Sequence, residues 1–291
     1  MTLTRRRFLT ISAGFALAPV GAQANTWQGR AFGADVSITI RSERDSANAA
    51  LTEARQAIRD IEALFSLYDD SSAVSQLNLN GALSAPDLRF VELMEASDHA
   101  YKVTDGLFDP TVQRLWQMLA KGYKPTEYFD TIGWDRVRFN TTQITLDKMQ
   151  ALTFNGIAQG YATDKVTEVL HAHGLGDVLV NIGEHRGTGG PWNLALQDPA
   201  HGVLGFRTLT TGAIATSSPH ATPMGADGHI IHGTERARWS TVSVEAPNAT
   251  LADSLSTAMV LARRDQIEAI KDQADVTRVT LVDFDGNLIT L

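Results

Sequence analysis

Alternating apolar and polar residues near the start of the chain are followed by an apolar pattern of helical period. Between residues 36 and 40 every second side chain is apolar, and residues 27–40 are predicted as a pair of strands. Between residues 46 and 65 apolar side chains recur every three or four positions, which predicts a helix with one buried face. The apolar positions of that helix are Leu51, Ala54, Ile58, Ile61 and Phe65.

The same two periodicities predict further helices and strands down to the C-terminus. Helices are predicted at 86–101, after Pro110, between Gly160 and Gly174, after Asn248 and at 266–273. Strands are predicted at 177–182, 192–197 and 239–246, with hairpins at 136–146, at 202–218 and around Asp285-Gly286. Neither an internal repeat nor a linker interrupts the chain after residue 25. The predicted fold class is α+β, as a single compact domain.

Composition excludes several classes of protein. The chain has 291 residues and a formal net charge of −8, which gives no electrostatic support to nucleic-acid binding. It contains no cysteine, so disulfides, thiolate metal sites and lipid attachment to an N-terminal cysteine are excluded. No apolar run reaches the roughly 18 residues that a membrane-spanning helix needs, so we predict no membrane span.

The first 24 residues have the pattern of an export signal. Arg5, Arg6 and Arg7 precede an apolar run at 11–20, and Ala22-Gln23-Ala24 supplies the small residues that a signal peptidase recognises. The pattern predicts a twin-arginine signal peptide at residues 1–24 and a mature domain at 25–291. It therefore predicts a periplasmic protein, and a basic amphipathic N-terminus is the alternative.

Residues 154–184 combine two glycine turns with a helix and a strand. Gly156 and Gly160 precede the predicted helix, and Gly183 follows the strand at 177–182. Free N–H groups at a helix N-terminus suit phosphate, and glycine lets a ligand approach the backbone closely. The spacing matches neither GxGxxG nor GxxxxGK[ST]. The stretch predicts either a diphosphate site across both turns or only a tight helix start and a β-turn.

Several motifs resemble those of one known family. GIAQGYATD at 156–164 resembles the GIAKGYAxD motif of the FAD:protein FMN transferases, the ApbE-like flavin transferase family. The other similar segments are FSLYDDSSAVSQLN at 65–78, DGLFDPTV at 105–112, VNIGE at 180–184, ATSS at 215–218, HII at 229–231 and ADSLSTA at 252–258. The resemblance runs from about residue 29 to the C-terminus. It implies an ApbE-like, T-fold-like architecture of largely antiparallel sheets with packed helices, and a ligand cleft between two halves.

The resemblance implies a set of residues that bind FAD. Tyr68 is expected against the isoalloxazine ring, because an aromatic face stacks on a flat ring. Asp164 is expected at the adenosine side, and Thr111 either at the ligand or as part of the architecture of its turn. The implied FAD-binding residues are Tyr68, Asn78, Thr111, Gly156, Ala158, Gln159, Gly160, Asp164, Asn181, Gly183, Glu184, His229 and Ile230.

The same resemblance implies a Mg²⁺ site. Asp253 and Thr257 lie four positions apart, and therefore on one face of the helix after Asn248. In the family this pair binds a divalent metal together with a backbone carbonyl, which corresponds here to that of Ala158. Mg²⁺ prefers oxygen ligands and accompanies substrate phosphates. An interaction of Asp253 with the helix dipole is the alternative, and it leaves Thr257 unexplained.

The implied reaction is transfer of FMN from FAD to a threonine or serine hydroxyl of a partner flavoprotein, with release of AMP. The acceptor is expected in the periplasm or the membrane, and within the family the chain resembles the NosX-like periplasmic branch. His229 is the candidate general base, because imidazole titrates near neutral pH. Asp253 is the second catalytic candidate, through the metal.

Three segments of the chain depart from the family pattern. Gln159 stands in place of a lysine and Glu184 in place of the second glycine of VNxGG, and both changes oppose anion binding. His232-Gly233 replaces Asp-Pro after the HII segment. These departures leave two alternatives open. One is a non-catalytic FAD-binding carrier or assembly factor, and the other is an FAD pyrophosphatase that uses water instead of a protein hydroxyl.

Overall fold

The described part of the chain begins at the end of the predicted signal peptide. A computed structural model describes residues 24–42, 44–123, 129–222, 224 and 228–291. The predicted signal peptide at residues 1–24 therefore lies outside the described residues, apart from Ala24, which begins a strand. Among the helices of the described residues, none combines the length and apolar character needed to cross a membrane.

Antiparallel strands form the framework of the molecule. The strands are β1 (Ala24–Ala31), β2 (Ala34–Arg41), β3 (Ala82–Ser84), β4 (Arg138–Phe139), β5 (Gln143–Thr145), β6 (Val178–Asn181), β7 (His185–Thr188), β8 (Trp192–Asp198), β9 (Gly202–Leu209), β10 (Gly212–Ser217), β11 (Thr241–Ala246), β12 (Arg278–Val282) and β13 (Leu288–Thr290). An eight-stranded sheet has the order β1-β2-β6-β7-β10-β11-β12-β13, with antiparallel pairing throughout. A three-stranded sheet has the order β3-β5-β4, and β8 and β9 form a separate ribbon.

The predicted helices begin and end close to their predicted positions, and one further helix, at residues 73–80, was not predicted. The α-helices of the described residues are α1 (Arg44–Phe65), α2 (Ala73–Asn80), α3 (Leu88–Val103), α4 (Gln113–Ala120), α5 (Ala158–Ala172), α6 (Ala249–Met259) and α7 (Arg264–Gln273). Asn248 caps α6 by accepting the backbone N–H of Leu251 at 2.8 Å. Gly174 follows the C-terminal cap of α5 with φ of 75°, a left-handed conformation that glycine adopts without strain.

The large sheet is covered on both faces. α5 and α6 pack against one face, where Val180 and Val244 are fully buried, and α1 packs against α5. The β8–β9 ribbon covers the other face, and its Trp192 packs with Leu179 and Ile214 of the sheet. This arrangement of antiparallel sheets and packed helices is the α+β architecture predicted from the sequence.

The hairpin predicted at 202–218 is wrong, because its two strands do not pair with each other. β9 pairs with β8, whereas β10 lies between β7 and β11 in the large sheet. The alternating apolar residues of β8 and Leu209 of β9 together bury the second face of the sheet. That burial holds β9 in the ribbon, and Gly212, with φ of 126°, begins β10 in the other sheet.

Candidate functional site

Residues 156–160 form a glycine loop that continues into the first turn of α5, and both ends of this 156–160 loop contact one face of α6. Gly160, in the first turn of α5, donates its backbone N–H to Oδ2 of Asp253 at 2.9 Å. A Cβ atom on Gly160 would overlap the carbonyl of Ala249 and lie 2.8 Å from Cβ of Asp253, so this contact requires glycine. Gly156, at the other end of the loop, packs as closely on Thr257. A Cβ atom there would lie 2.8 Å from Oγ1 of Thr257.

These two contacts place the loop that contains Ala158 on the face of α6 that carries Asp253 and Thr257. Asp253 and Thr257 lie one turn apart on α6, and Ala158 lies midway along the loop that they hold. A carboxylate, a hydroxyl and a carbonyl oxygen form a donor set that suits a hard cation such as Mg²⁺. Within the described ranges, no cluster of three or more His, Cys, Asp or Glu residues offers a competing metal site.

Asp253 is the buried acidic residue on this face of α6. Its side chain is only 3% exposed, and burial raises the pKa of its carboxyl group to about 7, with a smaller contribution from the charge of Asp164. Of the ion pairs between described residues, none provides Asp253 with a basic partner. A buried carboxylate without such a partner is stabilised by a bound cation, so the residues present fit the metal that the resemblance implies.

Asp164 is held inside the protein. Its carboxylate accepts the backbone N–H groups of Ala249 and Thr250 at 2.8 Å each, at the start of α6. Arg186 donates to the same carboxylate at 2.7 Å. A carboxylate at a helix N-terminus also interacts favourably with the helix dipole. The structure therefore gives Asp164 a role in attaching α5 to α6, and its contact with adenosine stays a prediction.

Asn78 and Thr111 also make internal hydrogen bonds. The side-chain amide of Asn78 donates to the carbonyl of Leu152 at 2.8 Å, and its oxygen accepts the Leu152 N–H at 2.6 Å. Thr111 is fully buried, and its hydroxyl accepts the N–H of Gly133 at 2.8 Å and donates to Asp109 at 2.6 Å. Both side chains fix backbone segments, and their proximity to a ligand stays a prediction.

Tyr68 presents an accessible ring. It lies in the turn between α1 and α2, and 70% of the residue is exposed. Ser72 caps α2 four residues later, so the turn that carries Tyr68 is well defined. An aromatic face of this exposure is available for stacking on a planar ligand.

The two glycine motifs meet through Gln159. Gly183 has φ of 93°, and a Cβ atom on it would overlap the side-chain amide of Gln159. Asn181 supports the same turn, because its side-chain oxygen accepts the N–H of Gly183 at 3.0 Å. The side chain of Gln159 therefore lies across the turn after β6, and this position brings the GIAQG and VNIGE segments into contact.

Glu184 points into the protein. Its Oε2 atom accepts the backbone N–H of Thr216 at 3.0 Å, and its carbonyl accepts the hydroxyl of Thr163 at 3.2 Å. Only 6% of the residue is exposed. Burial, and after it the charge of Asp253, raises the pKa of the Glu184 carboxyl group well above its usual range. The side chain that replaces glycine here is thus turned into the interior of the protein.

His229 is held in one orientation. Its Nδ1 atom lies 2.8 Å from the carbonyl of Pro219, and since a carbonyl only accepts, Nδ1 carries the proton. Nε2 is therefore the atom with a lone pair. Burial lowers the pKa of His229, and Trp116 donates to its carbonyl at 3.2 Å. The next residue, Ile230, packs partly buried against the core.

Two residues that stabilise the site were not predicted from the sequence. His232 lies 3.1 Å from the carbonyl of Gly106 through Nε2, and its Nδ1 accepts the N–H of Glu235 at 3.1 Å. It therefore holds the loop in which Asp-Pro was expected. Ser217 lies 3.3 Å from Oγ1 of Thr257, hydroxyl to hydroxyl. The signal for Ser217 was its place in the ATSS segment, whereas His232 was noted only as a departure from the family pattern, with no role assigned to it.

These features define an α+β protein whose candidate site lies between a glycine loop and a helix that carries one carboxylate and one hydroxyl. The chain belongs to the ApbE family, whose family model matches residues 32–280. Family membership confirms the resemblance drawn from the motifs and the prediction that the chain is a transferase enzyme.

Several known proteins are similar to this chain. The FAD:protein FMN transferase of Haemophilus influenzae is 23% identical, and the match covers 88% of this chain and 83% of that protein. The FAD:protein FMN transferase of Chlamydia pneumoniae is 25% identical, and the match covers 74% of this chain and 78% of that protein. The structure of the flavin transferase ApbE from Vibrio cholerae superposes with a TM-score of 0.81 at 21% identity, covering 93% of this chain and 97% of that one. The ApbE protein from Thermotoga maritima gives a TM-score of 0.80 at 24% identity, covering 92% and 96%.

Proposed function

We propose that this chain transfers FMN from FAD to a threonine or serine hydroxyl of a partner flavoprotein and releases AMP. The observation that carries the proposal is the contact of the 156–160 loop with Asp253 and Thr257 on α6. The names of the curated relatives support it, since they are FAD:protein FMN transferases. The proposed location is the periplasm, supported by the twin-arginine pattern in the sequence.

The proposed reaction is a phosphoryl-type transfer. The acceptor hydroxyl attacks the phosphorus on the flavin side of FAD, a new P–O bond forms to the acceptor, and the bond to the AMP phosphate breaks. Nε2 of His229 takes the proton of the attacking hydroxyl, since Nδ1 donates to Pro219. Such transfers depend mainly on positioning and on neutralisation of charge. In the 156–160 loop the N–H groups of Ile157 and Ala158 donate to the carbonyl of Phe154 and that of Gly160 donates to Asp253, so the proposed contacts with the diphosphate fall to the N–H groups of residues 156 and 159.

Ala158, Asp253 and Thr257 would hold the divalent cation. When bound, Mg²⁺ neutralises charge on the phosphate oxygens. Asp253 contributes the negative charge and Thr257 the hydroxyl, and both are fixed by the close packing of the loop on α6. Gln159 adds no positive charge, whereas a lysine at this position would. Neutralisation of the diphosphate charge therefore depends more on the cation in this chain.

The release of AMP separates this function from its alternatives. The chain from residue 25 to 291 is incubated with FAD and Mg²⁺, with and without an acceptor flavoprotein and with and without EDTA, and AMP is measured by chromatography. A transferase releases AMP in proportion to the acceptor supplied, and EDTA abolishes the release. AMP formed at the same rate without acceptor indicates an FAD pyrophosphatase, and retention of FAD without AMP indicates a carrier.

His229 predicts how transfer depends on pH. A general base acts in its neutral form, and burial lowers the pKa of His229 from its ordinary value of 6.5. We therefore expect the rate to be constant at neutral pH and to fall as the pH drops through this lowered pKa. The transfer rate of the His229→Gln variant should be about 10²–10⁴-fold lower. The decrease of the rate at acidic pH should be absent from its pH profile. The profile is measured at saturating Mg²⁺. Without the cation, the titration of Asp253, whose pKa burial raises to about 7, would add to the pH dependence of the rate.

Tyr68 predicts a change in FAD binding without a change in stability. The Tyr68→Ala variant should weaken FAD binding by about 2–12-fold, the equivalent of one aromatic stacking contact. The melting temperature should not change, because 70% of Tyr68 is exposed. Phe206→Ala is the matched control, since this residue is 71% exposed and lies on β9. Equal FAD affinity of the two variants, measured by fluorescence titration, would remove Tyr68 from the flavin site.

A further inference from the structure

We propose that Glu184 is a second acidic residue of the divalent-cation site, where it acts beside Asp253. The inference rests on the cation site of the proposed function and adds to it a residue at a position where the family pattern has glycine. This chain therefore offers the cation two carboxylates, where the ligand set described above contains one.

Glu184 is held through its backbone on one side and through its side chain on the other. On one side the carbonyl of Glu184 accepts the hydroxyl of Thr163 on α5 at 3.2 Å. On the other side its Oε2 atom accepts the N–H of Thr216 on β10 at 3.0 Å. A buried carboxylate held by one backbone donor keeps further lone pairs for a cation. The orientation of Glu184 is thus set by the protein before any ligand binds.

The residues that fix Glu184 are joined to the residues that hold the cation site. Thr163 lies on α5 three positions after Gly160, whose N–H donates to Asp253 at 2.9 Å. Thr216 directly precedes Ser217, whose hydroxyl lies 3.3 Å from that of Thr257. Glu184 therefore lies between the two segments that contact Asp253 and Thr257.

The charges around Glu184 favour a cation. Glu184 is 6% exposed and Asp253 is 3% exposed. The two carboxylates are close enough for their charges to interact. Arg186, the nearby basic residue on β7, is paired with Asp164 at 2.7 Å. Of the described residues, none forms an ion pair with Glu184 or Asp253. Two buried carboxylates without basic partners repel each other, and a divalent cation between them relieves that repulsion.

The departures from the family pattern at positions 159 and 184 change the local charge in the same direction. Glutamine at 159 removes a positive charge and glutamate at 184 adds a negative one, and Gln159 lies across the turn that leads to Glu184. Both changes attract a cation and repel phosphate. The FAD affinity of this chain should therefore depend strongly on the metal.

Binding of Mn²⁺ as a probe of the site tests this inference. Mn²⁺ affinity is measured by electron paramagnetic resonance on the FAD-free protein, with Mg²⁺ as competitor, for the unmodified chain and the Glu184→Gln, Asp253→Asn and Glu268→Gln variants. Glutamine keeps an acceptor for Thr216 and removes only the charge. We expect Glu184→Gln to weaken Mn²⁺ binding about 10–100-fold, as partners of metal ligands do, and Glu268→Gln, exposed on α7, to change nothing.

The outcomes separate this inference from the proposed function. If Asp253→Asn weakens Mn²⁺ binding and Glu184→Gln does not, Glu184 is not part of the site and the inference fails alone. If neither variant changes Mn²⁺ binding, the cation site itself is wrong. Glu184→Gly, which introduces the residue of the family pattern and removes the carboxylate, repeats the test should the glutamine variant be unstable. FAD affinity, measured without metal, should rise in the Glu184→Gln and Glu184→Gly variants. A merely structural role of Glu184 would not produce this effect.

Discussion

The Asp253→Asn variant is expected to lose FMN transfer almost completely. Asparagine keeps an oxygen for the N–H of Gly160 but removes the charge that would hold the cation. Cation stabilisation of transferring phosphates contributes several kcal/mol, which corresponds to a loss of about 10²–10³-fold or more in rate. The rate is measured as FMN incorporated into the acceptor at saturating FAD and Mg²⁺.

The stability of the same variant separates a chemical role from a structural one. Because burial raises the pKa of Asp253 to about 7, a neutral side chain suits this position in the metal-free protein. The melting temperature of the metal-free variant should therefore equal or exceed that of the unmodified chain. Asp272→Asn on α7 is the control, since Asp272 is exposed. Full transfer activity in Asp253→Asn would remove Asp253 from the cation site.

The Gly160→Ala variant is expected to lose both stability and activity. Its Cβ atom would overlap the carbonyl of Ala249, which is backbone and cannot rotate away, and would lie 2.8 Å from Cβ of Asp253. Overpacking of this kind lowers the free energy of unfolding by about 1–3 kcal/mol, and we expect the upper end of that range. Separation of α5 from α6 also displaces the 156–160 loop from Asp253, so transfer should be lost.

Gly176→Ala is the matched control for Gly160→Ala. A Cβ atom on Gly176 would meet no other atom within 4 Å, and its φ angle is not in the left-handed region. Its free energy of unfolding, measured by urea denaturation, should change by no more than about 0.5 kcal/mol. Equal stability of the two variants would show that α5 and α6 are not as closely packed at Gly160 as the structure indicates.

The contact of α5 with α6 was implied by the family resemblance, whereas local rules predicted only the features that meet there. The spacing of Asp253 and Thr257 places them on one helical face, and Gly156 and Gly160 mark positions without room for a side chain. The helices and most strands likewise follow from local periodicity and caps. Strand partners do not, since β9 pairs with β8 only because the ribbon buries the second face of the sheet.

The direction of individual side chains was the least predictable part of the site. Glu184 follows a glycine turn with φ of 93°, and the sequence does not say whether it faces the ligand or the interior. Asn78 and Thr111 were assigned to the ligand from motifs, whereas their hydrogen bonds hold the backbone of Leu152 and Gly133. A motif identifies positions that a fold needs together, and only the contacts distinguish architecture from binding.

Mass spectrometry of the acceptor tests the proposed transfer most directly. The chain from residue 25 to 291 is incubated with FAD, Mg²⁺ and an acceptor flavoprotein, and the acceptor is analysed intact and as peptides. The FAD:protein FMN transferase of Haemophilus influenzae serves as a control that the acceptor is competent. Transfer predicts a mass gain equal to FMN on one threonine or serine, abolished by EDTA. An acceptor that the control modifies and this chain leaves unmodified, with FAD either hydrolysed or simply retained, would contradict it.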